Sequence, residues 1–357
     1  MPQRALYHAS RYDPAPVPSW WEASAPPPQA GFGPLQGDRE AEVAIVGGGF
    51  TGLSCALHLA KEHGIQATVL DAGHIGWGAS GRNGGFVCWP AMKMGLAELI
   101  SRWGEEEARQ FVLSQIEAVE LVDALGRDEA IDYDRQGEGF YSVAHRPEAF
   151  AHEQETGEAL RRLVGADTTL LSKEEFAEVG HRGTEQFGAL LLKPGFGLHP
   201  LKFLSGLAAA AARRGATLHG HSAVTEIRKE GDRHLLITPQ GTLRARRLVL
   251  ATNGFLKEGL HPGLDARVLP ALCNVVVTRP LTEAERAAEN FVAEEPISNT
   301  RPLLFYSRLL PDKRLLFGAR GDTSGDPAVA AKMRVWLERR LGEVWPAFTG
   351  AETTHFW

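Results

Sequence analysis

Apolar residues follow two spacings along this chain, one typical of strands and one typical of helices. Uninterrupted apolar runs at 43–46 and 67–70 have the form of short, buried parallel strands. Between them, apolar positions over 53–63 recur at helical spacing, and Gly64 is placed to end that helix. These three elements predict a βαβ unit.

Strands and helices alternate less regularly after this unit. Helical spacing over 105–125, with three glutamates in the first turn, predicts a long amphipathic helix. An alanine-rich helix is predicted at 200–214 with Gly215 beyond its end, and Asp326 with Pro327 begins another helix. Further strands are predicted at 139–144, 217–219, 223–228, 234–238, 242–245, 248–251, 275–278 and 315–318, with a hairpin turn at 240–241. We find no internal repeat.

The first forty residues differ from the rest because prolines and aromatic residues dominate them. Proline blocks regular hydrogen-bonded structure, so we predict an extended arm over 1–40. Trp20 and Trp21 carry more apolar surface than a free linker does. We therefore expect the arm to pack on the body of the protein.

The length of 357 residues exceeds what one hydrophobic core usually serves, which favours two joined domains. Because an αβ pattern returns near residue 200, we predict that the domains are interleaved. A Rossmann-type α/β domain is assigned to 41–92 and 190–258, and a mixed-sheet α+β domain to 93–189 and 259–357.

Composition narrows the classes of partner. The net charge of −6 argues against a broad basic surface for nucleic acid. Three dispersed cysteines and scattered histidines give no metal-ligand spacing and no disulfide framework. Neither a secretory leader nor an apolar run of about 20 residues is visible, so we expect a cytoplasmic protein without a membrane span.

The segment Gly-Gly-Gly-Phe-Thr-Gly at 47–52 fits the dinucleotide-binding pattern G-x-G-x-x-G, between a predicted strand and a predicted helix. Gly47 permits the tight turn, Gly49 lets a diphosphate approach the backbone, and Gly52 lets the helix pack on the sheet. Asp71, at the end of the next strand, is placed to accept hydrogen bonds from a ribose. The predicted contacts are Gly47, Gly49, Phe50, Thr51, Gly52, Asp71 and Ala72. The alternatives are a glycine turn in an unrelated α/β fold and a surface acid at Asp71.

The glycine-rich coil predicted at 73–85 favours FAD over NAD as the cofactor. A nicotinamide site does not need a long run of small residues after the ribose acid, whereas FAD has a ribityl chain and a wide ring to accommodate. The residues predicted to follow that chain are Gly78, Ala79, Ser80, Arg82, Asn83, Gly84 and Gly85. Gly84 and Gly85 would let the ring lie close to the backbone, and Arg82 would place positive charge near the cofactor or pair with an anion. The alternative is a flexible surface loop.

Residues 42–52 together with 71–85 resemble the D-amino-acid oxidase/glycine oxidase superfamily of FAD enzymes. The wording IGWGASGRNGG at 75–85 and the leader LYHAS at 6–10 are similar to its gamma-glutamylputrescine oxidase-like branch. Further similar segments lie at 197–200, 215–227 and 251–254. The resemblance implies that Val224 meets the adenine side through its backbone. Two departures stand out: the family usually carries Glu where this chain has Asp71, and its last segment normally continues for several dozen residues beyond Trp357. We therefore expect either a fragment or a protein that lacks part of its flavin cradle.

The resemblance also implies an activity. Family members transfer a hydride equivalent from a carbon bearing an amine to noncovalently bound FAD, the imine hydrolyses, and dioxygen becomes hydrogen peroxide. The implied substrate is an amine or amino acid, of the gamma-glutamylputrescine or N-substituted amino-acid type. We assign no catalytic residue. A dehydrogenase of the same fold that uses an electron carrier, and an inactive homologue, stay open.

Substrate contacts are expected on strands of the second domain. Tyr306, Arg308 and Arg320 lie on such strands, and Arg320 is placed to hold a substrate carboxylate. A structural or surface arginine is the alternative. His199 lies near the cofactor or, alternatively, caps a helix.

Overall fold

The computed structural model describes residues 8–27, 31–90, 94–265, 267–321 and 323–357. Leu6 and Tyr7 of the leader and Pro28 of the arm lie outside the described residues. Within these ranges the α-helices are α1 (Trp20–Ser24), α2 (Phe50–His63), α3 (Ala79–Arg82), α4 (Leu96–Trp103), α5 (Glu105–Asp128), α6 (Pro147–Val164), α7 (Lys173–Val179), α8 (Pro200–Arg213), α9 (Glu283–Ala288) and α10 (Pro327–Val344). The strands are β1 (Gly37–Val46), β2 (Ala67–Leu70), β3 (Phe86–Val87), β4 (Phe140–Val143), β5 (Asp167–Leu171), β6 (Ala189–Lys193), β7 (Phe196–Gly197), β8 (Thr217–His219), β9 (Glu226–Glu230), β10 (Arg233–Ile237), β11 (Gly241–Leu250), β12 (Cys273–Pro280), β13 (Ile297–Asn299), β14 (Phe305–Leu309), β15 (Arg314–Arg320) and β16 (Thr353–Phe356).

The first sheet has six strands in the order β8-β2-β1-β11-β10-β9. Its first four strands are parallel, and the hairpin strands β10 and β9 continue it antiparallel. The predicted βαβ unit β1–α2–β2 is present, and Gly64 ends α2 in the left-handed conformation at φ +65°. The apolar run 43–46 is the buried half of a longer β1, whose polar first half extends beyond the core.

Two strand predictions in this sheet need correction, and the strand predicted at 223–228 is observed as β9 at Glu226–Glu230. The strands predicted at 242–245 and 248–251 form one continuous strand, β11. The polar residues that separate them, Arg246 and Arg247, point to solvent, where each lies 3.8 Å from a carboxylate oxygen of Glu42 on β1. An interruption of the apolar pattern thus marks an exposed stretch of strand, not a turn.

The second sheet has eight strands in the order β16-β12-β15-β14-β13-β4-β6-β5. Only the pair β13 and β4 is parallel among the described strands of this sheet, so the sheet is mixed, as expected. It draws its strands from 140–193 and 273–356, whereas the first sheet draws from 37–70 and 217–250. The interleaved α/β fold class is confirmed, while the domain boundaries stay a prediction.

The N-terminal arm is not wholly extended. Ser19 accepts a hydrogen bond from the backbone N–H of Glu22 at 3.1 Å and caps the short helix α1, because the prolines flank this helix without interrupting it. The arm also ends earlier than predicted, since β1 begins at Gly37. Trp21 is buried against α8 and the second sheet, so the arm packs on the body as expected. The cluster that receives it contains Leu201, Val275, Val277, Leu310 and Leu316.

None of the helices in the described ranges is long and apolar enough to span a lipid bilayer.

His181 makes the stability of the fold depend on pH. Its ring is buried against Phe176, Phe291 and Trp345, and its Nδ1 accepts a hydrogen bond from the N–H of Gly183 at 3.0 Å. Burial lowers the pKa of His181 to about 3, below its ordinary value. Between that pKa and about 6.5 the unfolded chain binds the proton and the folded chain does not, so stability is lost as the pH falls.

We expect the free energy of unfolding to lose about 1.4 kcal/mol per pH unit through this one group below pH about 6. His181→Asn keeps an acceptor for Gly183 but does not titrate there. Urea unfolding from pH 7 to pH 5 would give the variant a shallower pH slope than the wild type. Equal slopes would mean that folding does not lower the pKa of His181.

Candidate cofactor site

A cavity lies outside the carboxyl ends of β1, β2 and β11, where parallel sheets bind their ligands. It encloses about 240 Å³. The predicted residues that line it are Gly47, Gly49, Asp71, Ala72, Gly78, Ala79, Ser80 and Val224. The fold therefore gathers predicted residues from three separate parts of the chain at one edge of the first sheet.

The turn between β1 and α2 has no room for side chains on its glycines. Gly47 has a φ of +109°, and a Cβ there would lie 2.5 Å from the carbonyl oxygen of Ala251. A Cβ on Gly52 would collide with the carbonyl oxygen of Gly47, so this glycine lets the helix lie against the turn. Both roles agree with the sequence-based assignment.

The first turn of α2 presents free donors. Its N-cap, Gly49, has no side chain to cap the helix, and the N–H of Phe50 donates to Ser80 Oγ at 3.0 Å. The N–H groups of Thr51 and Gly52 have no hydrogen-bond partner among the described residues. Unpaired N–H groups and the positive end of the helix dipole form a binding site for a phosphate.

Asp71 lies at the end of β2, and its carboxylate accepts three hydrogen bonds from neighbouring protein groups. Its Oδ2 accepts the N–H of Gly48 at 2.6 Å, and its Oδ1 accepts the N–H of Gly73 at 3.0 Å and the indole N–H of Trp77 at 2.5 Å. Burial raises the pKa of Asp71, and these three hydrogen bonds oppose that shift. A carboxylate offers about four acceptor positions, so one remains on Oδ2 for a ribose hydroxyl.

The predicted coil 73–85 contains a short helix, α3, which the sequence analysis missed. Gly81 packs so tightly on the carbonyl of Gly76 that a Cβ would not fit, and the side-chain amide of Asn83 donates to the carbonyl of Ser80 at 2.9 Å. Tertiary packing and a side-chain cap therefore stabilise a helix that its residues alone do not favour.

The far end of this segment lies outside the cavity lining. Gly85 has a φ of +73°, and a Cβ on it would collide with the carbonyl oxygen of Leu198 and lie 2.5 Å from Nη1 of Arg308. A Cβ on Gly84 would lie 3.1 Å from the ring of Tyr306. The space that a Cβ would take at these glycines is filled by protein groups, and their contact with the flavin ring stays a prediction.

Arg82 does not line the cavity, but it contacts two residues that do. Its guanidinium carbon is 5.4 Å from the ring centre of Trp77 and 5.7 Å from that of Phe255, and both rings line the cavity. Burial lowers the pKa of Arg82 to about 10, and the charge of Glu22 opposes the shift. Arg82 stays charged at neutral pH and stacks on aromatic rings.

The three residues suggested for substrate contact have different surroundings. Tyr306 packs edge-on against Phe86 with ring centres 5.5 Å apart. Arg308 is buried, and its guanidinium donates to main-chain carbonyls. Arg320 is exposed at the end of β15 and does not line the cavity described above.

His199 caps a helix, which was the alternative given for it. Its Nδ1 accepts the N–H of Lys202 at the start of α8 at 3.2 Å, and its Nε2 lies 3.1 Å from Ser24 Oγ. Burial lowers the pKa of His199 to about 4, so it is neutral at pH 7.

Several cavity residues were not assigned from the sequence. Tyr12 comes from the arm, and Phe255 and Lys257 follow β11. Tyr12 and Phe255 lie just beyond the segments 6–10 and 251–254 that resemble the family, but no spacing pattern marks these three residues themselves. Trp77 lies within the segment 75–85 that resembles the family, but its sequence context offers no reason to assign it a role.

The residues at this edge fit the diphosphate half of FAD. The glycine turn excludes side chains where the phosphates would lie, the N–H groups of Thr51 and Gly52 have no partner among the described residues, and Asp71 keeps one acceptor position. The fold and the cavity together define a dinucleotide-binding protein with a second, mixed sheet.

Comparison with known proteins identifies the family. A model of the FAD dependent oxidoreductase family named DAO matches residues 42–357. This chain belongs to that family and is a FAD-dependent oxidoreductase.

Individual relatives agree with this assignment. A probable oxidoreductase, OrdL, of Rhizobium meliloti is 31% identical over 95% of this chain and 77% of its own length. The gamma-glutamylputrescine oxidoreductase of Escherichia coli is 31% identical over 95% of this chain and 78% of its own. The crystal structure of glycine oxidase from Geobacillus kaustophilus has a TM-score of 0.68 at 22% identity, covers 90% of this chain and 82% of its own, and shares the fold.

Proposed function

We propose that this FAD-dependent oxidoreductase oxidises the C–N bond of an amine or amino acid to an imine. The substrate loses two electrons and two protons, water hydrolyses the imine, and dioxygen takes up two electrons and two protons to become hydrogen peroxide. The relative of Escherichia coli that is named for gamma-glutamylputrescine, and is matched over most of its length, carries this proposal. A substrate of that type or an N-substituted amino acid follows from it, and a cytoplasmic location stays a prediction.

The chain's own residues would divide the work of binding the cofactor. Bound FAD supplies the two-electron acceptor. The turn at 47–52 would hold its diphosphate, Asp71 would bind its ribose, and the backbone around Val224 would meet the adenine. The segment 78–85 would follow the rest of the cofactor, which therefore ends beside Tyr306.

Tyr306 and Phe86 are proposed to bound the substrate side of this segment. Their rings pack on each other beside Gly84, and burial raises the pKa of Tyr306 far above its ordinary value. The Tyr306 hydroxyl is therefore a hydrogen-bond donor at any physiological pH. Aromatic surroundings favour a substrate amine that arrives without charge, so the residues around it need not include a general base.

Anaerobic mixing tests the proposal. FAD-loaded protein is mixed with putrescine, spermidine, gamma-glutamylputrescine, glycine and sarcosine, and the flavin absorption band is followed. We expect bleaching with at least one amine. If none of them bleaches the flavin, the proposed amine chemistry is wrong. Air is then admitted: one hydrogen peroxide per amine indicates an oxidase, whereas bleaching without peroxide indicates the dehydrogenase alternative.

Two substitutions locate the substrate. Tyr306→Phe removes one donor and keeps the ring, so we expect kcat/KM for the best amine to fall about tenfold. Arg320→Ala tests a different contact. If Arg320 binds a substrate carboxylate, its removal raises KM for amines that carry a carboxylate and leaves KM for the other amines unchanged. Unchanged kinetics in Tyr306→Phe would remove Tyr306 from the substrate site.

A further inference from the structure

Four consecutive main-chain carbonyls, those of residues 82–85, each accept a hydrogen bond from a side chain distant in sequence. The donors are Trp357 Nε1 to Arg82 O at 2.6 Å, Trp21 Nε1 to Asn83 O at 2.8 Å, and Arg308 Nη1 to Gly84 O at 3.2 Å and to Gly85 O at 2.8 Å. Trp21 belongs to the arm, Arg308 to β14, and Trp357 follows β16. The arm and the second sheet therefore hold, by its carbonyls, the segment proposed to follow FAD.

Arg308 is the central member of this group. It is 1% exposed, and its hydrogen bonds go to the carbonyls of segment 84–85 and Leu198 and, at 3.4 Å, to the amide oxygen of Gln136, rather than to carboxylates. Its Nε has no partner among the described residues. Burial lowers the pKa of Arg308 to about 9, with an opposing contribution from Asp134, so the guanidinium stays charged at neutral pH.

Such burial is costly for stability. A buried charge whose partners are neutral carbonyls is less stable than an apolar side chain of similar volume at the same place. The charged group links two separate segments. Arg308 Nη1 donates to the carbonyls of both segment 84–85 and Leu198, which precedes α8. Arg308 thereby joins the second sheet to two segments of the first domain.

Trp21 supplies the contribution of the arm. Its indole is 2% exposed and packs on His199 with ring centres 4.7 Å apart and on Trp357 with ring centres 6.3 Å apart. These neighbours orient the indole so that its N–H reaches Asn83 O. The arm therefore does more than cover apolar surface, because it supplies a directed polar contact to the segment.

We infer that Trp21, Arg308 and Trp357 form a carbonyl clamp that positions segment 82–85, so that the N-terminal arm and the second sheet set the affinity of the protein for FAD. The clamp residues are positioning residues: they act through the main chain of segment 82–85. Fixing four carbonyls fixes the intervening peptide planes, because each peptide unit is planar. The inference rests on FAD following this segment and is independent of which substrate is oxidised.

The test compares FAD affinity among variants of the full chain by flavin fluorescence titration of the apoprotein. Trp21→Phe keeps an aromatic ring and removes the N–H, and Trp345→Phe is its matched control, because Trp345 is equally buried but its Nε1 has no hydrogen-bond partner among the described residues. We expect Trp21→Phe to weaken FAD binding about tenfold and Trp345→Phe to change it less than about twofold. We expect Arg308→Met to weaken it by about tenfold to a hundredfold, and Arg308→Lys, which keeps the charge, to weaken it less.

A second readout distinguishes positioning from general loss of stability. Hydrogen exchange of the apoprotein reports local opening, so amides of 78–86 are expected to exchange faster in Trp21→Phe than in Trp345→Phe. Wild-type FAD affinity in both Trp21→Phe and Arg308→Met would overturn the inference, even if both variants unfold at lower temperature. If Arg308→Met does not fold, the Trp21 and Trp345 pair decides alone. If the wild-type protein binds FAD but no amine reduces the bound flavin, that result counts only against the proposed substrate chemistry.

Discussion

Replacing Gly49 by valine will leave a folded protein that no longer retains FAD. Gly49 is the N-cap of α2 at φ −85° and ψ −173°, an extended conformation that valine adopts without strain. A Cβ there lies 2.8 Å from Ser80 Oγ, and both residues line the cavity. The branched side chain displaces Ser80 and occupies the approach to the free N–H groups of the first turn. We expect FAD affinity to fall at least about 100-fold, or about 3 kcal/mol, in a titration of the apoprotein.

Gly95→Val provides the matched control. Gly95 is likewise an N-cap in an extended conformation, with no side-chain cap and with no heavy atom of a described residue within 4 Å of an added Cβ. We expect this variant to bind FAD as the wild type does. Normal flavin content in folded Gly49→Val would show that the diphosphate does not lie at this turn.

Asp71→Asn is expected to lower both the stability of the apoprotein and its affinity for FAD. Each oxygen of Asp71 accepts at least one N–H, so an amide nitrogen in either position faces a donor: Gly48 on one side, Gly73 and Trp77 on the other. Either arrangement leaves a buried N–H without an acceptor. We expect a loss of about 1–3 kcal/mol in the free energy of unfolding and at least tenfold weaker FAD binding.

Asp326→Asn separates this effect from the loss of a charge. Asp326 also accepts one backbone N–H, that of Ala328 at 2.8 Å, but it does so at an exposed helix N-cap, where asparagine serves equally well. Urea unfolding and FAD titration of the two variants give the comparison. Wild-type behaviour of Asp71→Asn would show that these three hydrogen bonds contribute neither to stability nor to FAD binding.

The sequence predicted most closely those parts of the site whose interactions are local. The strand 67–70 was placed at its observed bounds, and α2 was found but begun at residue 53 instead of Phe50. The first turn of α2 has no apolar periodicity because Thr51 is exposed and Gly52 has no side chain, although Phe50 packs on Phe203 with ring centres 5.7 Å apart. The glycine turn, the helix after it and the acid lie where the sequence placed them, and their role in binding a diphosphate stays a prediction.

The contacts that complete the site could not be predicted in this way. Trp21 meets Asn83 across 62 positions and Arg308 meets Gly85 across 223, and neither pair leaves a spacing pattern in the sequence. The three protein donors to Asp71 were also missed, although Trp77 is only six residues away. Periodicity reports which face of an element is buried, but it does not report what that face meets.

The pairing of β1 with β11 has a consequence for biosynthesis. Asp38 and Thr242 are bonded side by side although 204 positions separate them, so the centre of the first sheet cannot close until most of the chain exists. At common translation rates β1 and β2 wait roughly ten to forty seconds for that partner. During this interval the apolar ends of both strands are uncovered on the nascent chain. We expect yield in cells to depend on chaperone supply and translation speed more strongly than the stability of the finished protein would suggest.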